Sequence, residues 1–228
     1  NSGADLWVVQ QGTLGPYAEP SSVHDGTWRG IVALPGVSQA ANITYLTMQV
    51  RKDGSDVRAM VVGIAPGEAG APGWPPYLVA GRHITRSHYE AVADIASGLA
   101  LGERIQIRRN VYTVVGLTRR MVSSGGDPMV FIPLKDAQAA QFLRDNDALW
   151  QSRRRTAANP AFNRPGVPGL LDAVVASQSS NPSVNAVLVR VRPGHDAEEV
   201  AASIQRWQRL TATTRAQMEG ILIGKLIA

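Results

Sequence analysis

The sequence contains no cysteine. That removes thiol nucleophiles, disulfide frameworks and cysteine-ligated zinc. Charged residues make up only 18% of the 228 residues, and no apolar run reaches the ~18 residues that a membrane helix needs. Hydrophobic residues are 44%, which suits a folded core and excludes wholesale disorder. The length fits one large domain or two small ones. A net charge of +5 permits anionic partners without requiring them.

Apolar periodicity organises the chain. Leu6–Gln10 reads as a buried strand. A helix is expected from Ser21 or Ser22, acting as cap, to Leu34, and Pro35-Gly36 stops it. Ala41–Val50 and Val57–Ile64 are strands joined by the turn Lys52-Asp53-Gly54-Ser55. The Pro- and Gly-rich stretch Ala65–Tyr77 marks a border. A helix is expected over His83–Ala93, then strands at Arg104–Arg108, Tyr112–Leu117 and Met129–Pro133. Leu134–Asp147 has helical spacing, and Gln151–Ser183 is polar and irregular. Ala186–Val191 is a strand, Asp196–Trp207 an amphipathic helix with a capping Asp196, and Leu210–Thr213 a short strand before a last helix. Leu6–Val50 and Ala186–Thr213 share a strand–helix–strand rhythm. The fold class is therefore α+β, built of split β-α-β units with a small β-rich insert.

Catalytic constellations are weak. Ser22, His24 and Asp25 lie too close together for a nucleophilic triad, which joins distant segments. His83 and His88 are five apart, so one helical face cannot present both to a metal. His195 is most simply a turn residue. The glycine-rich runs lack the lysine of a phosphate loop. Ser124, Gly125, Gly126 and Asp127 form a tight connection whose backbone amides make it a candidate partner-facing loop. Arg153–Arg155, Arg104, Arg108, Arg109, Arg119 and Arg120 supply the basic surplus. They lack the interleaved exposed aromatics of a nucleic-acid module, which points to a solvated face or to anionic lipid head groups. No catalytic, metal or cofactor site is assigned. The apolar ending MEGILIGKLIA fits either the approach to a membrane helix or a helix docked on its own domain.

Val92–Phe142, VADIASGLALGERIQIRRNVYTVVGLTRRMVSSGGDPMVFIPLKDAQAAQF, carries family motifs. These are a Gly-Leu-x-Leu-Gly-Glu turn, a strand ending Val-Val-Gly, and a Gly-Asp-Pro loop before Phe-Ile-Pro-Leu. With the opening Ala4–Thr13 and the Leu34-Pro35-Gly36-Val37 stop, they closely resemble the extracytoplasmic domain of MacB-like ABC transporter permeases. That superfamily includes FtsX-like and lipoprotein-exporting members, and the resemblance is nearest to the heterocyst-exporter (DevC-like) branch. The resemblance implies a porter-like subdomain over residues 1–79 and 136–228 and an inserted sabre-like subdomain over 80–135. It implies chain ends leading to flanking membrane helices, and hence a periplasmic domain of an inner-membrane protein. The implied role is non-catalytic: transmission of movement driven by a cognate cytoplasmic ATPase, docking of a periplasmic membrane-fusion protein or cargo, and homodimerisation in the transporter. A domain that itself binds lipid or lipoprotein is the alternative. Gln151–Ser183 has no recognised family counterpart.

Overall fold

The computed structural model describes residues 3–12, 21–67, 70–144, 183–207 and 210–227. Among these residues twelve strands and four α-helices follow in chain order, besides a short 3-10 turn at Ile95–Ser97. They are β1 (Leu6–Gln10), β2 (Val23–His24), α1 (Thr27–Val32), β3 (Val37–Lys52), β4 (Ser55–Ile64), β5 (Leu78–Gly81), β6 (Glu90–Asp94), β7 (Arg104–Ile107), β8 (Asn110–Thr118), β9 (Met129–Pro133), α2 (Leu134–Arg144), β10 (Ser183–Val184), β11 (Ala186–Val191), α3 (Ala197–Gln205), β12 (Leu210–Thr214) and α4 (Arg215–Ile227). The mixed α+β class is as the sequence implied.

At one end of a ten-stranded sheet the order is β12-β1-β11-β3. β1 runs antiparallel to both β11 and β12, and β11 antiparallel to β3. So β1 and β3 are parallel with β11 between them, and β11 and β12 are parallel with β1 between them. Each strand–helix–strand unit thus holds a strand of the other in its gap, which is the split β-α-β arrangement. α1 and α3 cover one face, where Leu6, Val8, Ile31, Val187, Val189 and Ile204 pack. Trp7, Val9, Ala186 and Leu188 point to the other face and are also buried. Because these strands are buried on both faces, they carry apolar residues at successive positions.

β3 and β4 form a hairpin paired from Ile43↔Ile64 to Lys52↔Ser55, and Asp53 (φ 45°) with Gly54 (φ 80°) makes the turn the sequence predicts. The near part of β3 pairs with β11. Beyond β4 the pairing continues through parallel β9, antiparallel β6, parallel β8 and antiparallel β7. β7 then bridges back to β3 at Arg51↔Gln106. The path β3-β4-β9-β6-β8-β7 therefore closes on itself as a small barrel. Its interior holds Val50, Val61, Ile105, Ile107, Tyr112 and Val130. α2 lies against it through Ala137 and Ala140. The helix comes so close to β4 that a Cβ on Gly63 would collide with Ala137 Cβ and Thr44 Oγ1.

Two helices expected from the sequence are corrected. In place of a helix from Ser21 or Ser22 to Leu34, the chain forms β2 and then the six-residue α1. Ser21 Oγ is not a cap, since it accepts from the Gln10 amide at 2.8 Å. Val23 is instead drawn into pairing with Val184. Over His83–Ala93 there is no helix. Glu90 gathers the chain by accepting from the Thr85 amide (2.9 Å), the Arg86 amide (3.2 Å) and the Arg82 guanidinium (2.6 and 3.1 Å). Tyr89 takes φ 63°, which a helix cannot accommodate. All of Glu90–Asp94 is then buried as β6. Gln151–Pro182 lies outside the described residues.

Two outcomes are expected. Gly63→Ala should destabilise the domain by about 1–3 kcal/mol, because α2 and Thr44 leave no room for a methyl group; a urea unfolding midpoint equal to wild type would contradict the close approach. The hydrogen bond to Arg82, then the Thr85 and Arg86 amides, hold the Glu90 carboxyl at about 2 against the opposing effect of burial. A depressed carboxyl stabilises the fold above its ordinary value near 4.5 and loses that contribution as pH falls toward about 2. Glu90→Gln should therefore lower stability at neutral pH and flatten its decline between those pH values, as read from denaturation midpoints against pH.

Candidate functional site

The candidate loop hangs from a buried carboxylate. Asp94, at the end of β6, is 1% exposed. It accepts from the Met121 amide (2.8 Å), Thr118 Oγ1 (3.1 Å) and the Ala96 amide (2.9 Å). This fixes the point where the chain leaves β8. Val122 then bridges to Pro128. Within the loop, Ser123 N donates to Asp127 O (2.8 Å), Gly126 N to Ser123 O (3.0 Å) and Asp127 N to Ser123 Oγ (3.1 Å). Ser124, Gly125 and Gly126 are exposed at the tip. Asp127 differs from the other three. Its carboxylate meets the exposed Arg58 guanidinium on β4, at 3.1 Å from Nε, and ties the loop to that strand.

Beside the loop lies a groove of about 540 Å³, within the range of about 300–1,000 Å³ usual for small-molecule sites. Its sheet side is Trp7, Ile43 and Phe131. Met121 and Met129 close it from the loop, and Met218 closes it from α4. Ser123, Ser124, Arg215 and Glu219 also line it. Arg215 is already engaged, donating to Ala4 O (2.9 Å) and contacting Asp5 Oδ1 (3.3 Å). The indole N–H of Trp7 is buried with no hydrogen-bond partner among the described residues.

The histidines are dispersed. His24 Nδ1 accepts from the Gly26 amide (3.0 Å), so it shapes a turn. The Ser22 amide donates to Gln10 Oε1. His83 packs edge-on against Trp74, and burial lowers its pKa. His88 Nδ1 sits 2.6 Å from Asp136, whose second oxygen accepts from the Tyr89 amide. His195 abuts Gly36. No cluster of three or more metal-ligating side chains occurs among the described residues. Arg104, Arg108, Arg109, Arg119 and Arg120 are exposed, and Arg153–Arg155 lie outside the described residues.

Sequence reasoning missed Glu90, Asp94 and Asp136, the buried acids that fix the loops around β6. For Glu90 and Asp94 the signal was local, acids bounding an apolar run in Glu90-Ala91-Val92-Ala93-Asp94, whereas Asp136 follows Lys135 and had none. Burial pushes the Tyr112 phenol upward, and the charge of Asp136 adds to this.

Comparison with known proteins follows the fold. The periplasmic region of MacB from Actinobacillus actinomycetemcomitans superposes with TM-score 0.57 at 9% identity, over 96% of this chain and 93% of that one. The extracellular domain of the noncanonic ABC-type transporter YknZ from Gram-positive bacteria gives 0.54 at 11% identity, over 92% and 100%. A domain of a permease protein from Porphyromonas gingivalis gives 0.53 at 15% identity, over 97% and 98%. These identities establish likeness of fold alone. No curated protein matches the sequence. The model of the MacB-like periplasmic core domain matches residues 1–207. The chain therefore belongs to the MacB-like periplasmic core domain family, the periplasmic part of ABC transporter permeases.

Proposed function

We propose that this domain is a non-catalytic mechanical element of an export permease in an inner membrane. In this reading it relays movement driven by a cognate cytoplasmic ATPase and docks a periplasmic membrane-fusion protein. One observation carries the reading: the β3–β4 hairpin is common to the split β-α-β sheet and to the barrel. A displacement at the sheet then moves the barrel as a lever, because packed sheets do not shear continuously. The division into a porter-like part (1–79, 136–228) and a sabre-like insert (80–135) names the two ends of that lever. Assignment to the heterocyst-exporter branch rests on the motifs of residues 92–142.

In the full transporter two copies would face each other, with the exposed tip Ser124-Gly125-Gly126 offered to the fusion protein. The tip is carried by a loop that Asp94 and Asp127 hold in place before any partner arrives, which limits the ordering cost of docking.

The test uses the full-length permease with its ATPase in membranes. Spin labels at Ser55, on the hairpin tip, should give different inter-subunit distance distributions in nucleotide-free and ATP-bound states. Identical distributions would contradict transmission. Gly125→Trp should reduce co-purification of the fusion protein by about tenfold or more at an unchanged permease level; unaltered recovery would remove the loop from the interface.

A further inference from the structure

We infer that the open edge of β3 is a strand-docking site, where a partner protein adds an extended segment of alternating apolar and acidic residues. Alternation along β3 fixes which edge each residue faces. The two-residue turn Asp53-Gly54 is closed by Lys52 and Ser55, so those two exchange hydrogen bonds. Counting back in twos, Val50, Met48 and Leu46 bond to β4, while Arg51, Gln49, Thr47 and Tyr45 face the other way. On that side β11 pairs only as far as Ile43, and β7 meets β3 only at Arg51. The Tyr45 amide is taken by Asn185 Oδ1 at 2.9 Å. Thr47 and Gln49 have no backbone partner on this side among the described residues. Each presents one N–H and one C=O, which together form a template for a further strand.

A hollow of about 310 Å³ runs along this edge. Met48, which points into the barrel, and Thr47 and Gln49, which point out of it, all line the hollow. It therefore lies in the plane of the strand rather than over one face, and Gln106 and Arg108 close it from the turn after β7. Thr47 is half-buried and Gln49 exposed, so solvent reaches the edge.

The lining also selects the side chains of the added strand. A residue opposite Met48 turns inward onto its thioether, which favours an apolar side chain. The neighbouring residues turn outward beside the charged rim. There Asp56 is matched by Arg51 Nε at 3.2 Å, whereas Arg108 has no carboxylate partner among the described residues. An acidic side chain on the added strand answers Arg108. A second copy paired edge to edge would set arginines against arginines, so a partner of opposite charge fits better. The edge is independent of force transmission, since it would serve equally in a domain that relays nothing.

The test uses the 15N-labelled 228-residue protein. On its own, the amides of Thr47 and Gln49 should exchange with solvent at least about tenfold faster than those of Met48 and Val50, which bond to β4. The probe is the monomeric peptide Ac-TEVEVET-NH2. It should shift the Thr47 and Gln49 cross-peaks saturably and slow their exchange by about tenfold or more. With valine opposite Met48, the glutamate amides face β3 and the valine amides face away. N-methylation of the glutamates should therefore abolish binding, and N-methylation of the valines should leave it. Arg108→Gln should weaken binding about three- to tenfold, and Ac-TKVKVKT-NH2 should bind at least about tenfold more weakly. Equal protection of the four free amides contradicts the open edge. Lack of saturation, tolerance of glutamate methylation, or equal affinity in Arg108→Gln or for the basic peptide overturns the proposal. Self-association that shifts Thr47 and Gln49 without peptide also overturns it, and would assign the edge to a second copy. If Arg108→Gln fails to fold, the comparison of acidic with basic peptide on the wild type decides the charge preference. Gly125→Trp, which tests docking at the loop, leaves these readouts unaffected, so the two readings fail separately.

Discussion

Strands β3 and β4 bond to each other along Ile43–Ile64, while their outer edges answer to different neighbours. The near part of β3 is held by β11, and its far end by β7. β4 is held by β9. The other strands of the ten-stranded sheet join this hairpin directly or through one another. The barrel closes only because β3 is long enough to reach β7 after leaving the β-α-β sheet. The backbone hydrogen bonds that stabilise one part cannot be surrendered without exposing the edge of the other.

Three buried acids finish what the hairpin begins. Glu90 ties the entrance of β6, Asp94 ties its exit to the root of the 121–129 loop, and Asp136 ties the His88–Tyr89 corner to the first turn of α2. Each is satisfied by backbone amides as well as side chains. That makes them fixed points of the loops, and it explains why acids stand inside a strand that is otherwise alanine and valine. The groove beside α4 differs in kind. Its lining is mostly apolar and rich in methionine.

Much of this was legible in the residues. Leu6–Gln10, Met129–Pro133 and Ala186–Val191 were bounded correctly because strands buried on both faces are continuous apolar runs flanked by turn residues. Asp53-Gly54 specified its turn, and Asp196 its cap through the Glu198 amide at 3.0 Å. The failures share one cause. Ser21–Leu34 and His83–Ala93 have tolerable helical spacing, but distant partners override it: Val184 pairs with Val23, and β8 and β9 enclose β6. Closure of the barrel was not legible either, since the Arg51↔Gln106 bridge joins two polar residues with no pattern to announce it. For the site, the loop 124–127 was visible as turn chemistry. The groove was not, because Trp7, Met121 and Met218 meet only through the fold.

Family membership accounts for the location of such a domain outside the cytoplasm in a membrane transporter. The sheet and the barrel share strands rather than a linker. Native-state hydrogen exchange with increasing urea measures this directly. The account predicts that the amides of Ile105 and Tyr112 in the barrel and of Leu188 and Val189 in the sheet open with one free energy and one urea slope, that of global unfolding. If the barrel amides instead exchange through a smaller opening, with a lower free energy and a shallower slope while Leu188 and Val189 stay protected, the two parts are not one mechanical body.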